Sequence, residues 1–387
     1  MNVRSGDRRK HLVLIVLLLC VALACGGAWW VWGRHDDPLT AELARISQDP
    51  SESMEYLAPD GQIDSQGHWQ AGPASQSRWE QLRTHQWRAS SYEALSTAVK
   101  AAASLRDNNL ERSTQARAAW ATGRGIILLA SRVTEYSPTA KRDIAVILTH
   151  SINEIRNTAG FGSINDSRGN LTDLQITPYD KFKPAPITEN VATEITELTR
   201  VAGSDDRALK IMIDAVMDHS RINTNAVLDS SPGEVVGSSA ELGKLLHVSL
   251  SRDGQLIGFI YQSALSARTD YSFRGLQTAS PTSDPDFNKI DDSREETKRI
   301  LLQSAISQIA AYDALPDDSF TDYQGRDYST IYDWITPEHT IDTEQLQSDP
   351  QGAQEWEEWI QGLYFPYDKL ITPFDIGFDE GAGVAYR

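Results

Sequence analysis

Residues 116–158 read ARAAWATGRGIILLASRVTEYSPTAKRDIAVILTHSINEIRNT, and their spacing decides the fold class. Trp120, Ile127, Ala130 or Ser131, and Thr134 recur at three- and four-residue steps, the period of a helix rather than the two-residue alternation of a strand. Ser137 then supplies an N-cap and Pro138 a φ already near the helical value. A second helix is therefore expected over Thr139–Thr158, with Ile144, Ile147, Leu148, Ile152 and Ile155 on one side.

The same period extends in both directions. Upstream, Arg78–Trp87 and Tyr92–Leu105 read as two more helices. Downstream, after a polar, proline-bearing connection over Gly160–Pro186, Pro186 opens a helix through Ile187, Val191, Ile195, Leu198 and Val201, which Gly203 is expected to stop as a C′ glycine. Ser204-Asp205-Asp206 caps the next, where Leu209, Met212, Ile213, Val216 and Met217 repeat at helical steps. Val235–Ser251 and Leu256–Arg268 follow, with Asp253-Gly254 read as the turn that makes them antiparallel neighbours. Gly237, Ala240 and Gly243 fall every third residue. Glycine inside a helix costs about 1 kcal/mol relative to alanine, so these imply a second backbone close by, in an intramolecular packing or a dimer seam.

Strand signals are nearly absent. The expected fold is mainly α, a multi-helix bundle over residues 34–280 followed by a smaller acidic, aromatic-rich helical region over 281–387. That last boundary is a charge boundary. The 387 residues carry 36 Lys+Arg against 54 Asp+Glu, a net charge of −18, and residues 281–387 account for −16 of it, with seven bases against twenty-three acids. Such a balance argues against a nucleic-acid-binding surface. The acidic region still reads as folded: Ser293–Leu315 is a helix, and Tyr323, Tyr328, Tyr332, Trp334, Trp356 and Trp359 are too many large rings to leave in water.

Ahead of the bundle, Leu12–Trp32 is a run of 21 residues without a charge, long enough as a helix to cross a hydrocarbon layer about 30 Å thick. Arg4, Arg8, Arg9 and Lys10 precede it, so the positive-inside bias predicts a cytoplasmic tail over 1–10, a transmembrane anchor over 11–33 and an extracytoplasmic body. Trp29, Trp30 and Trp32 stand at the outer end, where aromatic rings favour the headgroup boundary. Two other readings stay open: Ala22-Leu23-Ala24 has the small-x-small pattern of a signal-peptidase site, and Cys25 followed by Gly26 has a lipobox character. All three place the body outside the cytoplasm. Both cysteines, Cys20 and Cys25, lie in this run, so the body has no cysteine for a disulfide, a zinc site or a nucleophile.

Four stretches, SMEYLAPDG, WEQLRTHQWRASSYEALSTAVKAAAS, KRDIAVILTHSINEI and EVVGSSAELGKLLHVSLSRDGQLIGFIYQSA, together resemble a family of uncharacterised actinobacterial proteins, large and helical, associated with type VII secretion modules. The resemblance runs from about Tyr56 to Ala267. It implies a cell-envelope protein and no particular reaction or ligand. The N-terminal anchor and the lack of a secretion-substrate hairpin depart from the family pattern and put a secreted role in doubt.

Motifs of catalysis are missing: the chain has no HExxH, GxSxG, Walker loop or GxGxxG. Two weaker constellations remain. Asp284, Asp286, Asn288, Asp292 and Glu295 place oxygen donors at positions 1, 3, 5, 9 and 12 of a calcium loop, but Lys289 stands where the turn needs glycine, and capping of the following helix by Ser293 and Glu296 explains the acids equally. Glu355 and Glu358, interleaved with Trp356 and Trp359, suggest a glycan hydrolase using paired carboxylates; a solvated helix face with the tryptophans turned inward gives the same spacing. The leading expectation is a membrane-anchored binding or scaffolding component of a bacterial cell envelope, with a protein partner there and no nucleic acid. A cell-wall glycan hydrolase and a calcium-stabilised module are the alternatives.

Overall fold

The computed structural model describes residues 37–88, 91–106, 110–131, 136–159, 185–236, 240–268, 285–363 and 367–385. Among them are fourteen α-helices, so the mainly helical reading stands. The stretch 12–32 lies outside the described residues, and no helix among those described is long and apolar enough to cross a membrane.

The first helices are α1 (Pro38–Ile46), α2 (Pro50–Leu57), α3 (Pro73–Thr84), α4 (Ser91–Ala103) and α5 (Arg112–Ala130), with a short antiparallel hairpin of β1 (Gly61–Ile63) and β2 (Trp69–Ala71) between α2 and α3. Each of α1, α2 and α3 starts on proline, whose fixed φ costs nothing at the first helical position. Ala94, Ala98 and Ala102 give α4 one narrow face. Next come α6 (Pro138–Thr149) and α7 (Ile152–Ala159). Helices α1, α2, α5 and α6 all pack on α4. Ser137 caps α6 as expected, its Oγ accepting from the Ala140 N–H at 3.2 Å.

The expected single helix over Thr139–Thr158 is divided at His150–Ser151. Ser151 Oγ donates to the Ile147 carbonyl at 3.0 Å and accepts from Arg106 Nη1 at 2.8 Å. Arg106, 1% exposed, also donates to Glu154 at 2.7 Å and to the Ala185 carbonyl at 3.0 Å. One buried guanidinium thus fixes the break and pins the incoming chain against α7.

Helix α8 (Ala192–Gly203) begins later than Pro186. Gly203 ends it for a different reason from a C′ glycine. It is still helical, and a Cβ there would come within 2.8 Å of the Ala264 backbone, so the glycine serves close packing. Asp205 caps α9 (Asp206–Ser230), accepting from the Ala208 N–H at 2.9 Å.

A larger correction concerns residues 240–268. They form one continuous helix, α10 (Ala240–Arg268), with Asp253 and Gly254 in its interior rather than in a turn. Gly254 is glycine because the last helix, α14 (Thr372–Ala385), crosses there. A Cβ on Gly254 or Gly258 would overlap the carbonyl oxygens of Phe374 or Phe378, and one on Gly377 or Gly381 would overlap those of Ser251 or Gln255. Two glycines spaced by four on each helix bring the backbones together. By contrast, a Cβ on Gly243 would meet nothing within 4 Å, so the close approach expected there lies elsewhere; Gly237 is outside the described residues.

Helix α11 (Pro285–Ala311) packs on α9 and α10. The acidic remainder carries α12 (Thr343–Ser348) and α13 (Gly352–Gly362) around Trp334, Trp356 and Trp359, all at most 1% exposed and joined to the main core. Aromatic packing, not solvation, organises this acidic end.

Candidate functional site

Helices α9, α10 and α11 enclose a groove of about 400 Å³, open along one side. Its register is set by side-chain bonds. Lys289 meets Asp206 at 3.4 Å and Tyr312 meets Asp229 at 2.7 Å, both pairs 83 residues apart, so α9 and α11 run parallel in one register. Arg268 meets Asp206 at 2.7 Å and Ser220 meets Asp253 at 2.7 Å, which runs α10 antiparallel between them.

The walls follow from helical spacing. On α9, Leu209, Ile213 and Met217 face the groove at steps of four; Ile290 and Ile300 face it from α11. Tyr261 of α10 forms the base, 1% exposed, with its hydroxyl 2.6 Å from Thr297 Oγ1, 3.1 Å from Ser293 Oγ and 3.0 Å from the Ser293 carbonyl. The rim charges are paired within the protein. Lys210 bonds Asp214 at 2.8 Å, while Asp206 holds both Arg268 and Lys289, and the hydrogen bond from Arg268 keeps the Asp206 carboxyl below its ordinary range. An apolar floor with self-neutralised charges suits an uncharged, largely hydrophobic guest.

The groove lining stops at Met217 and Ile300, and a separate buried polar layer follows along the helices. The next positions at helical spacing, Ser220 and Thr224 on α9 and Gln303 on α11, are polar and at most 3% exposed. The shared register brings Gln303 level with Ser220, whose hydroxyl bonds Asp253 Oδ2. Asp253 is fully buried, and burial pushes its carboxyl up to about 6, against the opposing pull of Arg156. Beside Ser220, His219 is pushed down to about 4 by burial and by the same arginine. Among the described residues no hydrogen-bond partner exists for Asp253 Oδ1, Thr224 Oγ1, Asn223 Nδ2, His219 Nε2 or either amide atom of Gln303.

The residues singled out from sequence lie elsewhere. Glu355 and Glu358 share one face of α13, one turn apart. Glu355 accepts from the buried Trp334 indole at 3.0 Å, and the exposed Glu358 accepts from Gln354 at 2.7 Å. This is the inward-tryptophan arrangement, with Glu355 employed in fixing the aromatic core. Asp286, Asn288, Asp292 and Glu295 fall on the continuous helix α11, and Asp284 lies outside the described residues. The backbone over Pro285–Ala311 is helical and does not take the turn of a calcium loop. Pro285 at the helix start and Lys289 in place of the turn glycine favour the helix. Ser293, expected as a cap, is mid-helix and bonded to Tyr261.

Sequence reading found the α9 stripe but not the groove. Its other residues are supplied by distant segments, where Lys289 and Ser293 drew notice only as parts of a calcium loop and a helix cap, and nothing in the spacing joined them to α9 or to Tyr261. No known protein family, curated protein or solved structure matches the chain.

Proposed function

We propose that this chain is a membrane-tethered binding protein of the bacterial cell envelope, with the helical body outside the membrane and the groove between α9, α10 and α11 as its binding site. The tether reading rests on the uncharged run Leu12–Trp32 with four basic residues before it. The binding reading rests on one observation, an open groove of about 400 Å³ with an apolar floor and a rim of internally paired charges. Work near a type VII secretion apparatus follows from the sequence resemblance and is part of the same proposal. The hydrolase alternative has no comparable support, because Glu355 is bonded to a core indole and Glu358 lies beside it on the same helix.

The test is protease accessibility of the full chain in intact cells and in inverted membrane vesicles, with cross-linking in the native envelope. The body is expected to be digested from outside and protected in inverted vesicles, with cross-links to envelope proteins. A body digested only in inverted vesicles overturns the topology.

A further inference from the structure

Asp37 ties the helical body to the chain that precedes it. Only residues 33–36 stand between Asp37 and the uncharged run that ends at Trp32, and five fully extended residue steps reach at most about 18 Å. From the body side Asp37 is held firmly. Its carboxylate accepts from the Leu39 N–H at 3.2 Å and the Thr40 hydroxyl at 3.0 Å, and Oδ2 lies 2.6 Å from His85 Nε2. From His85, which closes α3, ring contacts continue to Trp87 at 4.9 Å, then Tyr92 at 5.8 Å, then Tyr136 at 5.5 Å. Ser137, the cap of α6, donates to Glu93 of α4 at 2.8 Å, and Tyr136 donates to the Leu129 carbonyl near the end of α5. The starts of α1, α4 and α6 and the ends of α3 and α5 are thereby joined into one end of the bundle. So short a connection keeps that end close to the headgroups. The opposite end of the 19-residue α5, at Glu111, stands about 28 Å away along its axis.

The charges of the Asp37 end suit such a neighbour. Arg88 is exposed just beyond the His85 corner, and Lys141 and Arg142 are half-buried within the first five residues of α6. Among the described residues none of these three forms an ion pair. The acids nearby are engaged: Glu80 by Arg83 at 2.6 Å, Asp37 by His85 and Glu93 by Ser137. Guanidinium and ammonium groups pair with phosphate oxygens, and an anionic surface attracts each of them. We propose that the bundle end carrying Asp37, Arg88, Lys141 and Arg142 rests on the membrane surface, where its basic side chains bind anionic phospholipid headgroups. So seated, the body keeps one orientation instead of swinging about its tether. The proposal rests on the tether reading of Leu12–Trp32, but not on which side of the membrane the body lies or on what the groove binds.

The experiment places the full chain in nanodiscs of phosphatidylcholine, with or without phosphatidylglycerol, that include a phospholipid bearing a diazirine on its headgroup. Adducts are located by peptide mass spectrometry. Carbonate extraction of the full chain from vesicles of the same lipids reads the tether alone. With phosphatidylglycerol, labelling of 85–88 and 137–142 is expected, with little at 111–117. Replacing Arg88, Lys141 and Arg142 together by glutamine should lower that labelling about tenfold or more, and raised salt should lower it in the unaltered chain. Circular dichroism melting checks that the variant is folded. A carbonate-resistant chain labelled as strongly at 111–117 as at the other two segments would overturn the seating and leave the tether standing. Equal labelling with and without phosphatidylglycerol, or none lost in the triple variant, would overturn the assignment to anionic headgroups. Extraction of the chain by carbonate would remove the tether, and the proposal with it.

Discussion

Helix α10 has two very different neighbours. Against α14 it presents Gly254 and Gly258 to Gly377 and Gly381, and the two backbones touch. Toward α9 and α11 it presents Tyr261, which forms the base of a trough of about 400 Å³ and bonds Ser293 and Thr297 of α11. Side-chain size at a few crossing positions decides whether a helix pair seals or gapes, and one helix can do both on different faces.

The most severe way to break the sealed side is Gly258→Leu. The new side chain would have to occupy the space of the Phe378 carbonyl, and backbone cannot yield as a side chain does. We expect a loss of about 4 kcal/mol or more in denaturant unfolding, or failure to fold. A loss under about 1 kcal/mol would mean the helices are not in contact there.

The polar layer sharpens the comparison through pH. Asp253 is held at about 6 against an ordinary 3.8, so its contribution to stability is present while the carboxyl is protonated and is lost as pH rises toward and through 6. His219 is held at about 4 against 6.5, so its contribution is complete above 6.5 and is lost as pH falls through 4. Between pH 4 and 6 the two slopes oppose each other. Each shift is worth roughly 3 kcal/mol at its limit. Asp253→Asn should therefore lose stability on acidification, and His219→Gln should gain it, while the unaltered protein changes little. Parallel pH profiles for all three proteins would show that the two groups are not buried as described.

Smaller effects test the acidic end. Glu355→Ala should cost about 1 kcal/mol, because the Trp334 indole loses its acceptor in a buried aromatic cluster. Glu358→Ala should stay within about 0.5 kcal/mol, since its partner is an exposed glutamine. Equal costs in a melting experiment would contradict their different roles. A small effect of opposite sign is expected from Gly243→Ala: the position is helical with open space around it, so the change should stabilise by about 0.5–1 kcal/mol.

Legibility in the sequence followed the range of the interactions. The cap at Ser137, the cap at Asp205 and the stripe of α9 are set by neighbours within one turn, and each could be read directly. Asp253-Gly254 misled because aspartate followed by glycine is a good local turn signal. Its true reasons are a bond to Ser220 and the crossing of a helix more than a hundred residues later. The same holds at Gly203, which looked like a stop and is a packing notch against Ala264. Among the acids, Glu355 and Glu358 were visible as a pair, but only the fold reveals that an indole claims one of them. The groove was hidden most completely, since its lining comes from three helices and its base is a ring that looks, in sequence, like any other core tyrosine.

Carbene footprinting of the full chain with an apolar diazirine reads both faces of α10 at once. Strong labelling is expected at Ile213, Met217 and Ile300 in the trough and none at Gly254, Gly258, Phe374 or Phe378 in the sealed crossing. Labelling of the α10–α14 crossing as strong as that of the trough, or a trough that stays unlabelled, would contradict it.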